Sequence, residues 1–311
     1  MRDGRLETLG SPRFHPVRCR SIRIFATAGQ SQFSSLTYIG ESQLKIANLL
    51  FRLSLSACLA APAGSAWAQQ AADKPFEPTV GQSGKDVVWV PTPYVLVEKM
   101  LDMAKVTSQD FVMDLGSGDG RNIIAAAKRG ARALGVEYNE DMVKLSQSNA
   151  AKEGVADKAK FVQGDMYEAD ISQASVLALF LLTENLNKLT SKFLQLKPGS
   201  RIVINGFGID GWDPDVTDRS DGDCGSWCTA HLFIVPARVE GSWRMPQGEL
   251  RLEQKFQKIS GTLNAGGVSH AIANGRMNGD AISFTAGETV YSGRVNGDTI
   301  QGEGGVWNAK R

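Results

Sequence analysis

Asp110 to Gly120, Asp-Phe-Val-Met-Asp-Leu-Gly-Ser-Gly-Asp-Gly, constrains this chain more than any other segment, because a short apolar run enters a glycine-rich turn that opens a helical pattern. Phe111, Val112, Met113 and Leu115 read as a strand buried in a parallel sheet. Ile123, Ile124 and Ala127 space one buried face along a helix running from Arg121 to Arg129. Gly116, Gly118 and Gly120 let the backbone turn sharply and let a ligand approach without meeting a Cβ. Strand, glycine turn and helix in this order make the floor of a nucleotide site.

The glycine spacing narrows the ligand. Dinucleotide sites use Gly-x-Gly-x-x-Gly, with the helix N-terminus facing a pyrophosphate, whereas this turn is Gly-x-Gly-x-Gly. Asp114 on the strand end and Asp119 in the turn would repel a pyrophosphate and suit a cation, such as a sulfonium bearing an α-amino group. Ala133 to Val136 read as a second strand ending in Glu137, an acidic residue able to hold both hydroxyls of a ribose. Phe161 to Gly164 read as a third strand leading to Asp165, which can accept from an adenine amino group, and Met166, which offers the ring an apolar face.

Asp-Leu-Gly-Ser-Gly-Asp-Gly, Gly-Val-Glu and Gln-Gly-Asp-Met, in that order and separated by helical segments, resemble the S-adenosyl-L-methionine site of class I methyltransferases. From Val87 to Ala237 the chain is similar to bacterial relatives of the mitochondrial protein-lysine methyltransferases of the ATP synthase c-subunit and the adenine nucleotide translocase. Pro91-Thr92-Pro93-Tyr94 before the helical stretch Val95 to Ala104, the glycine turn with Arg121, and Gly211-Trp212-Asp213-Pro214-Asp215 carry that resemblance. It implies N-methylation of a lysine and leaves the acceptor of the bacterial members open. A small-molecule N- or O-methyltransferase, and a non-catalytic exported binding protein on a methyltransferase-like scaffold, are the alternatives.

Methyl transfer from a sulfonium is an in-line displacement, so the protein chiefly positions a nucleophile and excludes water. Leu179 to Asn185 follow the fourth strand, where substrate-orienting groups are expected, and contain no Asn-Pro-Pro-Tyr or Asp-Pro-Pro-Tyr of the kind that grips a nucleobase amine. Glu184 and Asn185 are the candidate catalytic substrate contacts, with a helix cap at Thr183-Glu184 the competing reading. Asp213, Asp215, Asp218, Asp221 and Asp223 either attract a basic substrate or form a solvated loop.

Of 34 Lys and Arg and 33 Asp and Glu, eight and three fall in the first 68 residues, leaving about −4 on the remainder and arguing against nonspecific nucleic-acid binding. Lys45 and Arg52, the apolar run Leu53 to Ala63 and Ala66-Trp67-Ala68 form a secretory leader over 44–68, which implies a periplasmic or secreted address. Residues 1–43 then read as an extension that is disordered or precedes the true start. Cytoplasmic residence, a lipid anchor at Cys58 or a retained membrane anchor are the alternatives. Beyond the leader only Cys224 and Cys228 remain; they pair if their Cα atoms come within bridging distance. With only His231 nearby they fall short of a zinc ligand set.

Past Val239 the pattern changes. Leu250 to Phe256 alternate as a strand, and Gly275-Arg-Met-Asn-Gly-Asp-Ala-Ile282 recurs as Gly293-Arg-Val-Asn-Gly-Asp-Thr-Ile300. The Asn-Gly pairs signal hairpins, with Ile282, Phe284, Tyr291, Val295 and Ile300 among the buried positions and Arg276 and Arg294 either paired on the surface or facing a ligand. The expectation is α/β: a Rossmann-like methyltransferase sheet with helices on both faces (85–237) after a linker (69–84), followed by a small antiparallel β-meander (238–311) that packs on the sheet domain or curls into a barrel.

Overall fold

The computed structural model describes residues 76–311. The extension, the leader and the first part of the linker lie outside the described residues. The α/β region runs α1 (Tyr94–Met103), β1 (Phe111–Leu115), α2 (Arg121–Lys128), β2 (Arg132–Glu137), α3 (Glu140–Lys152), β3 (Ala159–Gln163), β4 (Val176–Leu179), α4 (Thr183–Phe193), β5 (Arg201–Asn205), β6 (Val216–Arg219) and β7 (Thr229–Ile234). Its seven strands are ordered β3-β2-β1-β4-β5-β7-β6. The first five are parallel, and β7 runs antiparallel to both β5 and β6. Chain order reverses between β1 and β4, which opens a crevice at the carboxyl ends of those strands.

The strands are apolar throughout because both faces of the sheet are covered. Val112, Val176, Ala178 and Val203 face Leu96, Met100 and Leu101 of α1 and Ile123 and Ala126 of α2. The alternate residues Met113, Leu177, Leu179 and Ile202 face Leu186, Leu189 and Phe193 of α4 on the other side. At the end away from the crevice, Asp110 accepts from the Thr107 amide at 2.8 Å, from Ser175 Oγ at 2.8 Å and from the Arg201 guanidinium, joining the starts of β1, β4 and β5. Burial pushes the Asp110 pKa up, but these three donors outweigh it and hold the group below its ordinary value. α3 is capped by Asn139, whose side-chain oxygen accepts from the Asp141 and Met142 amides, with Glu140 and Asp141 in the first turn and Lys152 in the last.

The C-terminal strands are β8 (Gly241–Met245), β9 (Gly248–Lys255), β10 (Lys258–Ala265), β11 (Val268–Asn278), β12 (Ala281–Ala286), β13 (Thr289–Asn296), β14 (Thr299–Gly302) and β15 (Asn308–Lys310). They close into a barrel in which β15 pairs with β8, so no sheet edge remains. Ile282, Phe284, Val295 and Ile300 are buried in its interior with Trp243, Leu250 and Met277, and Tyr291 stacks on Phe284. The two repeat hairpins turn one residue later than the Asn-Gly pairs suggest. Asn278 and Asn296 are the last paired residues, and the loops are Gly279-Asp280 and Gly297-Asp298, each opened by a left-handed glycine.

Gly211 to Asp215 prove to be the seam between sheet and barrel. Trp212, 2% exposed, stacks on Phe256 of the β9–β10 turn with ring centroids 5.0 Å apart, and meets Phe233 of β7 edge-on. Asp213 pairs with Lys258, and its carbonyl accepts from the buried Gln257 amide at 2.5 Å. Asp215 accepts from Arg276 at 2.6 Å and from the Ile234 amide at 2.7 Å. Asp218, in β6, pairs with Lys99. Three of the five carboxylates considered for a basic substrate are thus matched to cations of the protein, leaving Asp221 and Asp223 exposed and unpaired among the described residues. Arg294, like Arg276, has a carboxylate partner, Asp280.

Phe256 adopts φ +54, an uncommon conformation for an aromatic residue, and the Trp212 ring packs against it. Trp212→Ala should therefore cost about 3–5 kcal/mol of stability, read from denaturant unfolding. A loss below about 1 kcal/mol would mean that the seam does not depend on this ring.

Candidate functional site

The crevice contains a pocket of about 900 Å³, open to solvent and walled by the turn after β1, the ends of β2, β3 and β4, and a hairpin preceding α1. Asp114, Gly116, Gly118, Asp119, Glu137, Asp165 and Met166 all line it. Gly120 lies beneath, and a Cβ there would sit 2.6 Å from the Phe161 ring. The three turn glycines have φ of +75, +55 and +86, so the sharp backbone path needs residues without a Cβ.

Glu137 organises the floor. Its Oε2 accepts from the Gly118 amide at 2.9 Å and its Oε1 from the Asn139 amide at 3.0 Å, which ties the turn after β1 to the turn after β2. Each carboxylate oxygen can accept a further bond, so the group remains able to receive two hydroxyls. Asp114 is 3% exposed. Its Oδ2 accepts from Asn122 Nδ2 at 3.0 Å, whereas its Oδ1 has no hydrogen-bond partner among the described residues. Burial pushes its carboxyl well above the ordinary range against the Asn122 hydrogen bond, and the charges of Glu137 and Asp119 add to the rise.

The other two carboxylates already have partners. Asp119 receives both Arg121 Nε at 2.9 Å and Nη2 at 2.6 Å, while Arg121 Nη1 donates to the Thr92 carbonyl at 2.7 Å. The Asp119 charge is therefore matched by Arg121, and its role is to join the glycine turn to the segment before α1. Asp165 lies two residues past β3, where it accepts from Lys85 Nζ at 2.6 Å and the Tyr167 amide at 2.9 Å. The Lys85 hydrogen bond is the main cause of its lowered pKa.

Lys85 belongs to a feature that sequence reasoning missed. Residues 81–89 form a hairpin, with Gly81 N–H donating to the Trp89 carbonyl at 2.8 Å and Trp89 N–H to the Gln82 carbonyl at 2.9 Å. It lies along the pocket wall so closely that a Cβ on Gly118 would sit 2.7 Å from Trp89 Nε1. The adjoining Val90-Pro-Thr-Pro-Tyr94 was the available signal, but a motif of this kind does not reveal which loop it faces. Glu184 and Asn185, by contrast, do not line the pocket. Glu184 is exposed on the first turn of α4, and Asn185 is buried with its amide donating to Tyr167 Oη at 2.8 Å. Their residue types suit a substrate contact, but α4 turns Asn185 into the protein beneath the loop that follows β3.

A cationic nucleoside fits this site on three observations: a glycine floor, a Glu137 with spare acceptor capacity, and a buried Asp114 oxygen without a donor. Because the folded protein holds the Asp114 proton more tightly than the unfolded chain, ligand-free stability should fall as pH rises through and above the unfolded carboxyl range. Asp114→Asn should remove that slope, so the variant gains on the wild type as pH rises above the unfolded carboxyl value of about 4 in urea unfolding. A pH-independent difference would show Asp114 ionising as freely folded as unfolded.

The family described as the ANTKMT methyltransferase domain matches residues 114–216, the stretch holding the glycine turn, the ends of β2 to β5 and the seam. A protein-lysine N-methyltransferase from Saccharolobus islandicus (strain REY15A) is 43% identical over 154 residues, 48% of this chain and 94% of its own. A lysine N-methyltransferase of the ATP synthase c-subunit, from Rattus norvegicus, is 37% identical over 107 residues, 34% of this chain and 50% of its own, so the chain spans about half the length of that mammalian relative. An RNA methyltransferase from Salinibacter ruber, solved with S-adenosyl-L-homocysteine, is 42% identical over 48% of this chain and 96% of its own, with a TM-score of 0.45. The chain belongs to the class I S-adenosylmethionine-dependent methyltransferases, in the family of the ANTKMT methyltransferase domain.

Proposed function

We propose that this protein transfers the methyl group of S-adenosyl-L-methionine to the Nε of lysine in a protein acceptor. The observation that carries the reading is the pocket above the left-handed glycine turn, with Glu137 and a partnerless Asp114 oxygen at its floor. The lysine acceptor is supported by the archaeal relative, whose similarity covers nearly its whole length.

S-adenosyl-L-methionine supplies an electrophilic methyl on a sulfonium, whose transfer to an amine lone pair leaves a neutral thioether and an acceptor that releases one proton. Glu137 would receive the ribose hydroxyls, and the Gly116 and Gly118 backbone would hold the methionine end. Asp114, buried with one oxygen unpartnered, would face the ligand's positive charge, which would favour its ionised form and offset part of the cost of its burial. Met166 would offer the adenine an apolar face, and Asp165, now paired with Lys85, would accept from its amine. Trp89 and the hairpin that carries it narrow the access of water to the reacting centre.

Export to an oxidising compartment is part of the proposal. The leader pattern at 44–68 motivates it, and the Cys224–Cys228 disulfide, with Cα atoms 5.1 Å apart, supports it. Among the described residues no helix is long and apolar enough to cross a membrane.

Calorimetric titration of the purified protein with S-adenosyl-L-methionine should give saturable binding that weakens at least about tenfold in Glu137→Ala, since two acceptor atoms and the tie to Gly118 disappear together. Unchanged affinity in the variant would overturn the site. Incubation with methyl-labelled cofactor and protein acceptors should yield methylated lysine on mass spectrometry, and label confined to small molecules would overturn the acceptor assignment.

A further inference from the structure

Beside the cofactor pocket lies a second chamber, half open and about 440 Å³ with the solvent at its mouth included, lined by valines of the hairpin segment, Leu181, Leu182 and three aromatic rings. The rings are Phe180 after β4, Phe207 after β5, and Trp227 in the loop closed by the Cys224–Cys228 disulfide. Phe180 and Trp227 meet edge to face with ring centroids 4.9 Å apart, Phe207 and Trp227 are tilted at 5.6 Å, and Phe180 and Phe207 stack at 6.1 Å. All three are partly exposed, unlike the core aromatics Phe193 and Phe233. Among the described residues, no charged or hydrogen-bonding side chain other than the Trp227 indole lines the chamber. Phe180, Val87, Val88 and Val90 line both cavities, so the two adjoin at the carboxyl end of β4.

We infer that this aromatic chamber is the acceptor subsite, taking the unbranched alkyl-ammonium side chain of a lysine and delivering its nitrogen past Phe180 toward the cofactor pocket. The inference deepens the lysine reading above and rests on it. Its apolar walls suit four methylenes leaving water, and ring faces attract an ammonium. Removal from water also lowers the pKa of an alkylammonium, favouring the neutral amine that attacks. A nucleobase would leave its polar edges without partners here.

Trp227 is the specificity residue, and its mounting is built into the loop. Cys224 and Cys228 bracket it, its amide donates to the Cys224 carbonyl at 2.9 Å, and the Ser220 amide donates to the Cys228 carbonyl at 2.8 Å. Gly206, with φ +69, lets the indole rest against the end of β5, where a Cβ would lie 3.2 Å from the ring.

The test uses the full chain saturated with S-adenosyl-L-homocysteine and titrated with Nα-acetyl-lysine N-methylamide, with the norleucine derivative as the stem without its charge. The lysine derivative should bind about tenfold tighter than the norleucine derivative, and Trp227→Ala should lose about that factor while Trp227→Phe keeps most of it. Affinity for S-adenosyl-L-homocysteine should stay the same in both variants, which reports an intact fold. Unchanged lysine-derivative affinity in Trp227→Ala, equal binding of norleucine, or no saturable binding by the wild type would each overturn the subsite and leave methyl transfer standing. Failure of the wild type to bind S-adenosyl-L-homocysteine would instead overturn the proposed function itself.

Discussion

The site depends on one carboxylate. Glu137 accepts from the Gly118 and Asn139 amides, so a single side chain at the end of β2 holds the glycine turn after β1 and the entry to α3 in one frame. Without that tie, a turn of left-handed glycines has little to keep it in one conformation, since glycine gives up the most backbone freedom on ordering. With it, Gly118 can be packed beneath Trp89, and the buried Asp114 is kept where a cation can answer its charge. The neighbouring Asp119 serves the same frame differently, as a two-point acceptor for Arg121, whose remaining nitrogen reaches the Thr92 carbonyl.

A second frame joins the sheet to the barrel. Trp212 and Phe256 stack across it, Asp213 and Asp215 pair with barrel cations, and Ala237 N–H donates to the Gly279 carbonyl at 2.8 Å. The seam also anchors the end of β7, whose Ile234 amide donates to Asp215. Immediately before β7 comes the disulfide loop carrying Trp227, so the barrel steadies the strand from which the aromatic chamber is hung. Closure of the barrel itself follows from eight short antiparallel strands whose Trp243, Phe284 and Trp307 fill the interior and leave no exposed edge.

Much of this was legible in the residues. The parallel strands could be read because burial on both faces demands unbroken apolar runs, and the cofactor floor because φ of +75, +55 and +86 at alternate positions strongly favours glycine. The meander could be read from period-two alternation and turn glycines. Less visible were contacts between segments distant in sequence. Lys85 meets Asp165 across 80 positions, and Phe180, Phe207 and Trp227 come from three separate loops that carry no shared motif. Glu184 and Asn185 show the converse: suitable residue types next to the right strand, but on helical positions that do not reach the pocket wall.

The α/β class, the glycine-turn floor with Asp114 and Glu137, and the hairpins of the tail are written in the residues, because each follows from local backbone sterics and short-range periodicity. Only packing settled which carboxylates find a partner, that the Gly211 to Asp215 segment holds the barrel rather than a substrate, and that three scattered rings face one chamber. Pairing, burial and cavity shape are properties of segments brought together across the fold, and no spacing along the chain encodes them.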